Sequence, residues 1–160
     1  MFSVIAAVAS NGIIGSNGGL PWNIPEELAY FHKQIYQKPV VVGRKTYFSI
    51  KAPLNSSSTI VLSRSKSLFL EDGVSVMHSV GEVCSSFAGY LGEIMVIGGG
   101  EVYQQFLPLA TKLYITCIDY EAKGDTCFPE LNLKEWEMVK ESEIKTLSCR
   151  CNALIYIKKN

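Results

Sequence analysis

Glu27 is the residue whose surroundings most constrain its chemistry. On a helical wheel at about 100° per residue, the stretch Pro25 to Tyr36 places Leu28, Phe31 and Ile35 in one arc, Glu27 at its margin and Glu26 roughly opposite. Glu26 is then expected in water near the helix N-terminus, where negative charge favours the macrodipole. Glu27 points along the edge of the apolar face, toward whatever cavity that face lines. No basic residue stands at a helical neighbour position that faces it. A carboxylate there calls for a ligand with two parallel N–H donors; the plainer alternative is a solvated glutamate on a helix rim.

Three further segments carry chemistry for anions. Val40-Val41-Val42-Gly43-Arg44-Lys45-Thr46 runs from an apolar strand through glycine into a helix start rich in donors, although it lacks the glycines of a Walker A loop. Ile94-Met95-Val96-Ile97-Gly98-Gly99-Gly100-Glu101-Val102-Tyr103 repeats the theme with three consecutive glycines, which let backbone approach a pyrophosphate closely. The last glycine of G-x-G-x-x-G is replaced by Tyr103, which argues against a standard Rossmann half. Leu62-Ser63-Arg64-Ser65 ends a strand in hydroxyls and a guanidinium able to fork onto a ribose phosphate. Each alone is equally a tight turn with a solvated cation. Together, at the ends of strands, they point to a dinucleotide.

The elements that must hold these residues are legible as short β-branched runs: Val4 to Ala9, Val40 to Val42, Thr59 to Leu62, Val74 to Met77, Ile94 to Ile97 and Leu113 to Ile118. Their near-continuous apolarity predicts a parallel sheet covered on both faces. Helical spacing fills the intervals at Pro25 to Tyr36, after Gly43, at Ser79 to Leu91 and at Glu101 to Leu107, which is an α/β alternation. Pro25 suits a first helical turn, and Ser79-Val80-Gly81-Glu82 reads as a capping box. Trp136 to Lys140 and Cys151 to Lys158 read as an antiparallel hairpin at one edge. No repeat or linker interrupts the chain, so one domain is expected over residues 1–160.

Composition narrows the partners. The 160 residues are 48% hydrophobic and 19% charged, with 15 Lys plus Arg against 15 Asp plus Glu. A net charge of zero leaves no electrostatic footprint for nucleic acid or an anionic membrane. The apolar opening Met1 to Ala9 has no basic flank before it and is broken by Ser10-Asn11-Gly12, so it reads as a buried strand and not a signal peptide. No apolar run approaches the roughly 18 residues of a membrane span. Five scattered cysteines fit a reducing cytoplasm, and Cys149-x-Cys151 has no second pair and no histidine at ligand spacing, so no metal site is expected. A monomer is the default expectation.

Ile5-Ala6-Ala7, Ile14-Gly15, Leu20-Pro21-Trp22-Asn23, Gly43-Arg44-Lys45-Thr46, Ile97 to Tyr103 and Gly124-Asp125-Thr126-Cys127-Phe128-Pro129 together resemble bacterial dihydrofolate reductase, in order and spacing over essentially the whole chain. The resemblance implies an eight-stranded, mostly parallel sheet with an antiparallel C-terminal edge strand and four flanking helices. It implies NADPH as cofactor, dihydrofolate as substrate and diaminopyrimidine antifolates as ligands. Glu27 falls on the family's buried acid, which pairs with the pterin N3–H and exocyclic amine; Thr116 falls on the threonine that bridges to it. Leu20 and Trp22 fall on the mobile loop over the nicotinamide. Ile5, Ala6, Ala7, Leu28, Phe31, Ile50, Leu54, Ile97 and Tyr103 match positions around the substrate. Ala7, Ile14, Ile97 and Tyr103 match positions around the nicotinamide and its ribose. Gly98, Gly99 and Gly100, with Glu101 and Val102, match the pyrophosphate turn. Gly43, Arg44, Lys45, Thr46, Leu62, Ser63, Arg64 and Thr126 complete the expected cofactor contacts.

Two positions depart from the family pattern. The segment usually reading Arg-Pro-Leu-Pro-Gly-Arg is Ala52-Pro53-Leu54-Asn55-Ser56-Ser57 here, so the arginine that forks onto the substrate's glutamate tail is Ser57. Lys33 and Lys51 are candidate cations to replace part of it. Glu101 stands where the bacterial pattern is often basic. The departures keep two other readings in play: a reductase of the same fold acting on a pterin or pyrimidine without a glutamate tail, and a nucleotide-binding paralogue without turnover.

Overall fold

The computed structural model describes residues 1–160 throughout. Along the chain run β1 (Phe2–Ala9), β2 (Ile13–Gly15), α1 (Pro25–Ile35), β3 (Pro39–Gly43), α2 (Arg44–Ser49), β4 (Ser58–Leu62) and β5 (Val74–Met77). Then come α3 (Val80–Ser86), β6 (Ile94–Val96), α4 (Gly100–Phe106), β7 (Ala110–Ile118), β8 (Thr126–Cys127), β9 (Trp136–Ile144) and β10 (Cys151–Lys158). Eight strands form one sheet in the order β5-β4-β3-β6-β1-β7-β10-β9, and β2 pairs with β8 apart from it. From β5 to β7 every neighbour is parallel.

The continuous apolar strands are explained by burial on both faces. Val40, Val41 and Val42 have no exposed surface; Val41 joins Val4, Val96, Leu113 and Phe106 in one layer, while Val40 and Val42 join Ile5, Met95, Tyr114 and Ile35 in the other. α1 covers the second layer through Ile35 and Phe31, whereas α3 and α4 cover the first through Val83, Val102 and Phe106. The period-2 alternation of a strand thus sends neighbouring valines to different helices.

The C-terminal hairpin is antiparallel as expected, with β10 seated between β7 and β9, so β9 and not the last strand is the edge. Glu137, Lys140, Glu141 and Glu143 keep that exposed edge charged, which disfavours pairing with another chain. α3 stops at Ser86, short of the Leu91 that helical spacing suggested, because the chain turns through Gly89 at φ 82°. Ser79 caps it by accepting from the Glu82 amide at 3.1 Å, and the Glu82 carboxylate takes the His78 amide. β2 and β8, three and two residues long, were not read from the sequence. They fix the loops at the strand carboxyl ends, with the Asp125 amide donating to Gly15 O at 3.0 Å and the Phe128 amide to Gly12 O at 2.9 Å.

Candidate active site

Glu27 is buried, 6% exposed, on the side of α1 that lies over the sheet. Burial pushes its carboxyl up to about 7, and no hydrogen bond from the protein offsets it. The sequence reading placed it at the margin of an apolar face; the structure takes it inside. Tyr30 lies close enough for the Glu27 charge to add to the upward push that burial gives the Tyr30 hydroxyl. Thr116 is 2% exposed and sits opposite Ala7 of β1 and Ala153 of β10. By strand alternation it faces the same side as Tyr114 and Ile118, the side α1 covers. The expected bridge is not made directly, since no Thr116 bond reaches the Glu27 carboxylate.

A second polar group is orphaned beside it. Trp22 Nε1 is buried without a hydrogen-bond partner, and its ring packs with Ala7 against Ile24, Ile118 and Cys151. An unpaired carboxylate and an unpaired indole N–H in one region are each costly without a ligand or water to complete them. That is what a preformed polar ligand site requires.

The glycine motifs form a cradle at the carboxyl ends of β3 and β6. The Gly43 amide donates to Gly98 O at 2.7 Å and the Ile97 amide to Val41 O at 3.0 Å, locking the two strand ends together. The Gly98–Gly99 peptide is cis, and Gly98 has φ 114°, open to glycine alone. A Cβ on Gly99 would come within 2.9 Å of Thr46 Oγ1, and one on Gly100 within 2.9 Å of Thr126 Cγ2. So α2, α4 and β8 converge on bare backbone, packed too closely to admit a side chain at Gly99 or Gly100. Arg44, Lys45 and Arg64 stand exposed and none is paired with a carboxylate, the two ion pairs of the molecule being Lys38–Glu93 and Lys112–Glu93. Leu62 pairs with Gly43 across β3 and β4, which brings Ser63 and Arg64 to the same end of the sheet. Cations beside a backbone cradle suit a phosphorylated dinucleotide.

The other expected positions separate into groups. Phe31, Ile50 and Leu54 pack with Ile5 and Ile97 in one cluster beside α1. Leu28 and Leu20 are largely exposed on the rim, the latter 55%. Ala6, Ile14, Val102 and Tyr103 belong to the opposite layer. Ala6 therefore cannot line the substrate cleft with its side chain, because β1 alternation turns it away from Ile5 and Ala7. Tyr103 acts through its tip: the hydroxyl donates to Ile5 O at 2.7 Å while the ring packs on Phe128. Glu101 is exposed in the first turn of α4. Ser57 is exposed, with its amide held by Lys38 O at 3.0 Å, and Lys33 and Lys51 are exposed as well.

Asp125 and Asn17 were not assigned a role in advance. The Asp125 carboxylate accepts the Asn17 amide at 2.9 Å, and that bond, with one from Thr126, holds its carboxyl below the usual range. It ties the loop carrying Leu20 and Trp22 to β8. The Gly-Asp-Thr motif was visible, but its loop partner was not. A cavity of about 600 Å³ lies elsewhere, mostly against the reverse layer at Val8, Ile115, Phe128, Leu131 and Tyr156.

A lone buried acid on a helix, with a glycine cradle and free cations at the strand ends, suits a phosphorylated dinucleotide and a small ligand bearing paired N–H donors. Residues 1–158 match the family model described as dihydrofolate reductase. Over 137 residues, 86% of this chain and 84% of the relative, the sequence is 47% identical to dihydrofolate reductase of Haemophilus influenzae. It is 38% identical to that of Bacillus subtilis over 144 residues, 89% and 84% of the two chains. Among solved structures, dihydrofolate reductase from Enterococcus faecalis complexed with NADP(H) and RAB-propyl superposes with a TM-score of 0.90 at 31% identity, covering 100% of this chain and 97% of that one. The chain belongs to the dihydrofolate reductase family.

Proposed function

We propose that this chain reduces 7,8-dihydrofolate to 5,6,7,8-tetrahydrofolate with NADPH, as a single domain over residues 1–160. The observation that carries the reading is Glu27, buried without a protein partner on a helix that faces the strand ends bearing the glycine cradle. NADPH fits because the cradle presents Gly99 and Gly100 as partly exposed bare backbone, with Arg44, Lys45 and Arg64 exposed and unpaired at the same end of the sheet. When bound, it supplies the hydride delivered to pterin C6.

Glu27 receives the pterin N3–H and exocyclic amine, two donors matching the two oxygens it leaves unpaired. With its carboxyl at about 7, the empty site carries a proton near neutrality; bound pterin meets the ionised carboxylate, whose negative charge favours protonation at N5. No other acid of the chain is buried beside it, so the N5 proton arrives through water. Phe31, Ile50 and Leu54 enclose the rings. Tyr103 holds the Ile5 carbonyl in place through its 2.7 Å bond. Trp22 and Leu20, on the loop tethered by Asp125, limit the water that reaches the reacting carbon. Thr116 orients Glu27 from the sheet side once ligand and water complete the site. Diaminopyrimidine antifolates fit the same carboxylate through the same pair of donors. The reading assigns the chain to the cytoplasm, as a monomer; no helix is long and apolar enough to cross a membrane.

The test is NADPH oxidation by the purified protein with dihydrofolate and with a tail-less dihydropterin, alongside Glu27→Gln. Turnover of dihydrofolate that falls at least a hundredfold in Glu27→Gln is expected, in line with the roughly 10²–10⁴-fold contribution of a positioned acid. Tight NADPH binding without turnover of either pterin overturns it.

A further inference from the structure

Cys149 and Cys151 are the one pair of cysteines in contact, with their sulfurs 3.9 Å apart. Cys149 lies in the bend that precedes β10 and is half-buried; Cys151 opens β10 and has no exposed surface. Because Cys149 is outside the pleated strand, its side chain is not held to strand geometry and reaches toward its neighbour two residues on. Thr146 braces the bend, its hydroxyl donating to Cys149 O and accepting the Cys149 amide at 3.2 Å. Cys151 packs with Ile24 and Ile118, against Trp22 and Ala7. The pair therefore sits behind the residues that wall the candidate active site.

We infer that Cys149 and Cys151 form an oxidisable dithiol that closes to an intramolecular disulfide by exchange with a small-molecule disulfide, and that closure lowers turnover. The Cys149 thiolate attacks one sulfur of the small disulfide and expels one thiolate, which takes up the proton Cys149 gave. Cys151 then loses its proton and attacks the Cys149 sulfur, expelling the second small thiol. Two cysteine thiols lose two electrons and two protons, and one small disulfide becomes two thiols. Cys149 is the point of entry, since Cys151 is sealed from solvent and burial, with the neighbouring Cys149 sulfur, pushes its thiol up to about 12. A disulfide closing so short a loop is expected to be readily reduced, as labile regulatory bridges are. Closing the bend draws Cys149 toward the core and stiffens the floor under Trp22, so loop movement over the site is the affected step.

The covalent half of this inference is independent of the proposed reductase activity; the turnover half rests on it. The full chain is equilibrated in glutathione buffers of increasing disulfide content, quenched with acid, unfolded and alkylated in denaturant, and weighed intact. Five alkylated cysteines are expected in the reducing buffer and two fewer, with a loss of two hydrogens, in the oxidising one. Trypsin cleaves at Arg150, between the two cysteines, so residues 146–150 and 151–158 stay joined until a reductant separates them. Cys149→Ser and Cys151→Ala each abolish the joined peptide, while Cys84, Cys117 and Cys127 serve as internal controls. Dihydrofolate turnover falls in proportion to the cross-linked fraction, returns with dithiothreitol, and is insensitive to the buffer in Cys149→Ser. Five alkylated cysteines at every ratio, or glutathione retained on Cys149 without a cross-link, overturns the dithiol. A complete cross-link with unchanged turnover overturns its coupling to the site.

Discussion

A carboxyl held at about 7 by burial alone has consequences for stability as well as for catalysis. The folded protein keeps a proton on Glu27 that the unfolded chain releases near 4.5, so stability falls as pH rises from about 4.5 to 7 and levels off above. The shift corresponds to roughly 3 kcal/mol at high pH. Glu27→Gln removes that burden: its melting temperature at pH 8 is expected several degrees above the parent's, the gain vanishing near pH 4.5, while turnover is lost. Equal melting temperatures at pH 8 would show that water already solvates the carboxylate. In the parent, kcat/KM for dihydrofolate declines about tenfold per unit above the Glu27 pKa, because the reacting complex needs one proton more than the ionised empty site and neutral pterin bring. Ser57 sets a second expectation. Installing the guanidinium by Ser57→Arg adds a charge-assisted pair of about 1.5–3 kcal/mol, lowering KM for dihydrofolate by roughly one to two orders of magnitude with kcat kept. A tail-less pterin shows no such gain, and an unaltered dihydrofolate KM counts against the weak-tail account. Helical spacing sufficed to distinguish Glu27 from Glu26, since the wheel depends on periodicity alone. Its depth was not legible, because the sheet face that α1 covers, with Ile5 and Tyr114, comes from strands more than twenty residues away in sequence.

At the level of elements, the cradle depends on α2 and α4 starting against each other. The Cβ of Gly99→Ala would meet Thr46 Oγ1 at 2.9 Å, so either α2 shifts or the glycine turn does. Overpacking of this kind costs about 1–3 kcal/mol, and it acts where NADPH must approach the backbone. Gly99→Ala is expected to weaken NADPH binding about tenfold or more by fluorescence titration, with Gly99→Ala/Thr46→Ser no better, because serine keeps the Oγ. Gly99→Ala/Thr46→Ala removes the obstructing atom and recovers part of the affinity; equal affinity in all three would disprove the steric account. The sheet strands were readable because burial on both faces makes Val40 to Val42 and Ile94 to Val96 apolar without interruption. Periodicity could not find β2 and β8: two or three residues cannot show a period, and their pairing is set by Gly12, Gly15 and Asp125 contacts made across about a hundred residues. α3 was read too long for the converse reason, since apolar spacing continued past a glycine that takes positive φ. β10 was recognised as a strand, yet its seat between β7 and β9 is fixed by partners on either side that spacing along its own sequence cannot reveal.

Across the molecule, the two ends of the parallel sheet have opposite electrostatics. At the carboxyl ends, Glu27 is buried and unpaired; at the amino ends, Glu93 accepts Lys38 Nζ at 2.6 Å, Ser3 Oγ at 2.6 Å and Tyr114 Oη at 2.9 Å. Burial would raise the Glu93 carboxyl, but the hydrogen bonds from Lys38, Ser3 and Tyr114 outweigh it and hold it below its ordinary value. The stability it contributes is present above the unfolded pKa of about 4.5 and is lost as pH falls through the lower folded one, the reverse of Glu27. Because Ser3, Lys38, Lys112 and Glu93 sit at the starts of β1, β3, β7 and β6, this network ties together the four central strands at the end opposite the glycine cradle. Removing its charge therefore loosens the frame without touching the site. Glu93→Gln is expected to lose roughly 1–3 kcal/mol at pH 7 by urea unfolding, with kcat and KM for dihydrofolate unchanged at a temperature where both proteins are folded. The difference between parent and variant should shrink as pH falls through the lowered folded pKa, where Glu93 itself becomes neutral. A constant difference across that range would locate the loss in packing and not in charge. A changed KM would mean that the two ends of the sheet are mechanically coupled through β1 and β7.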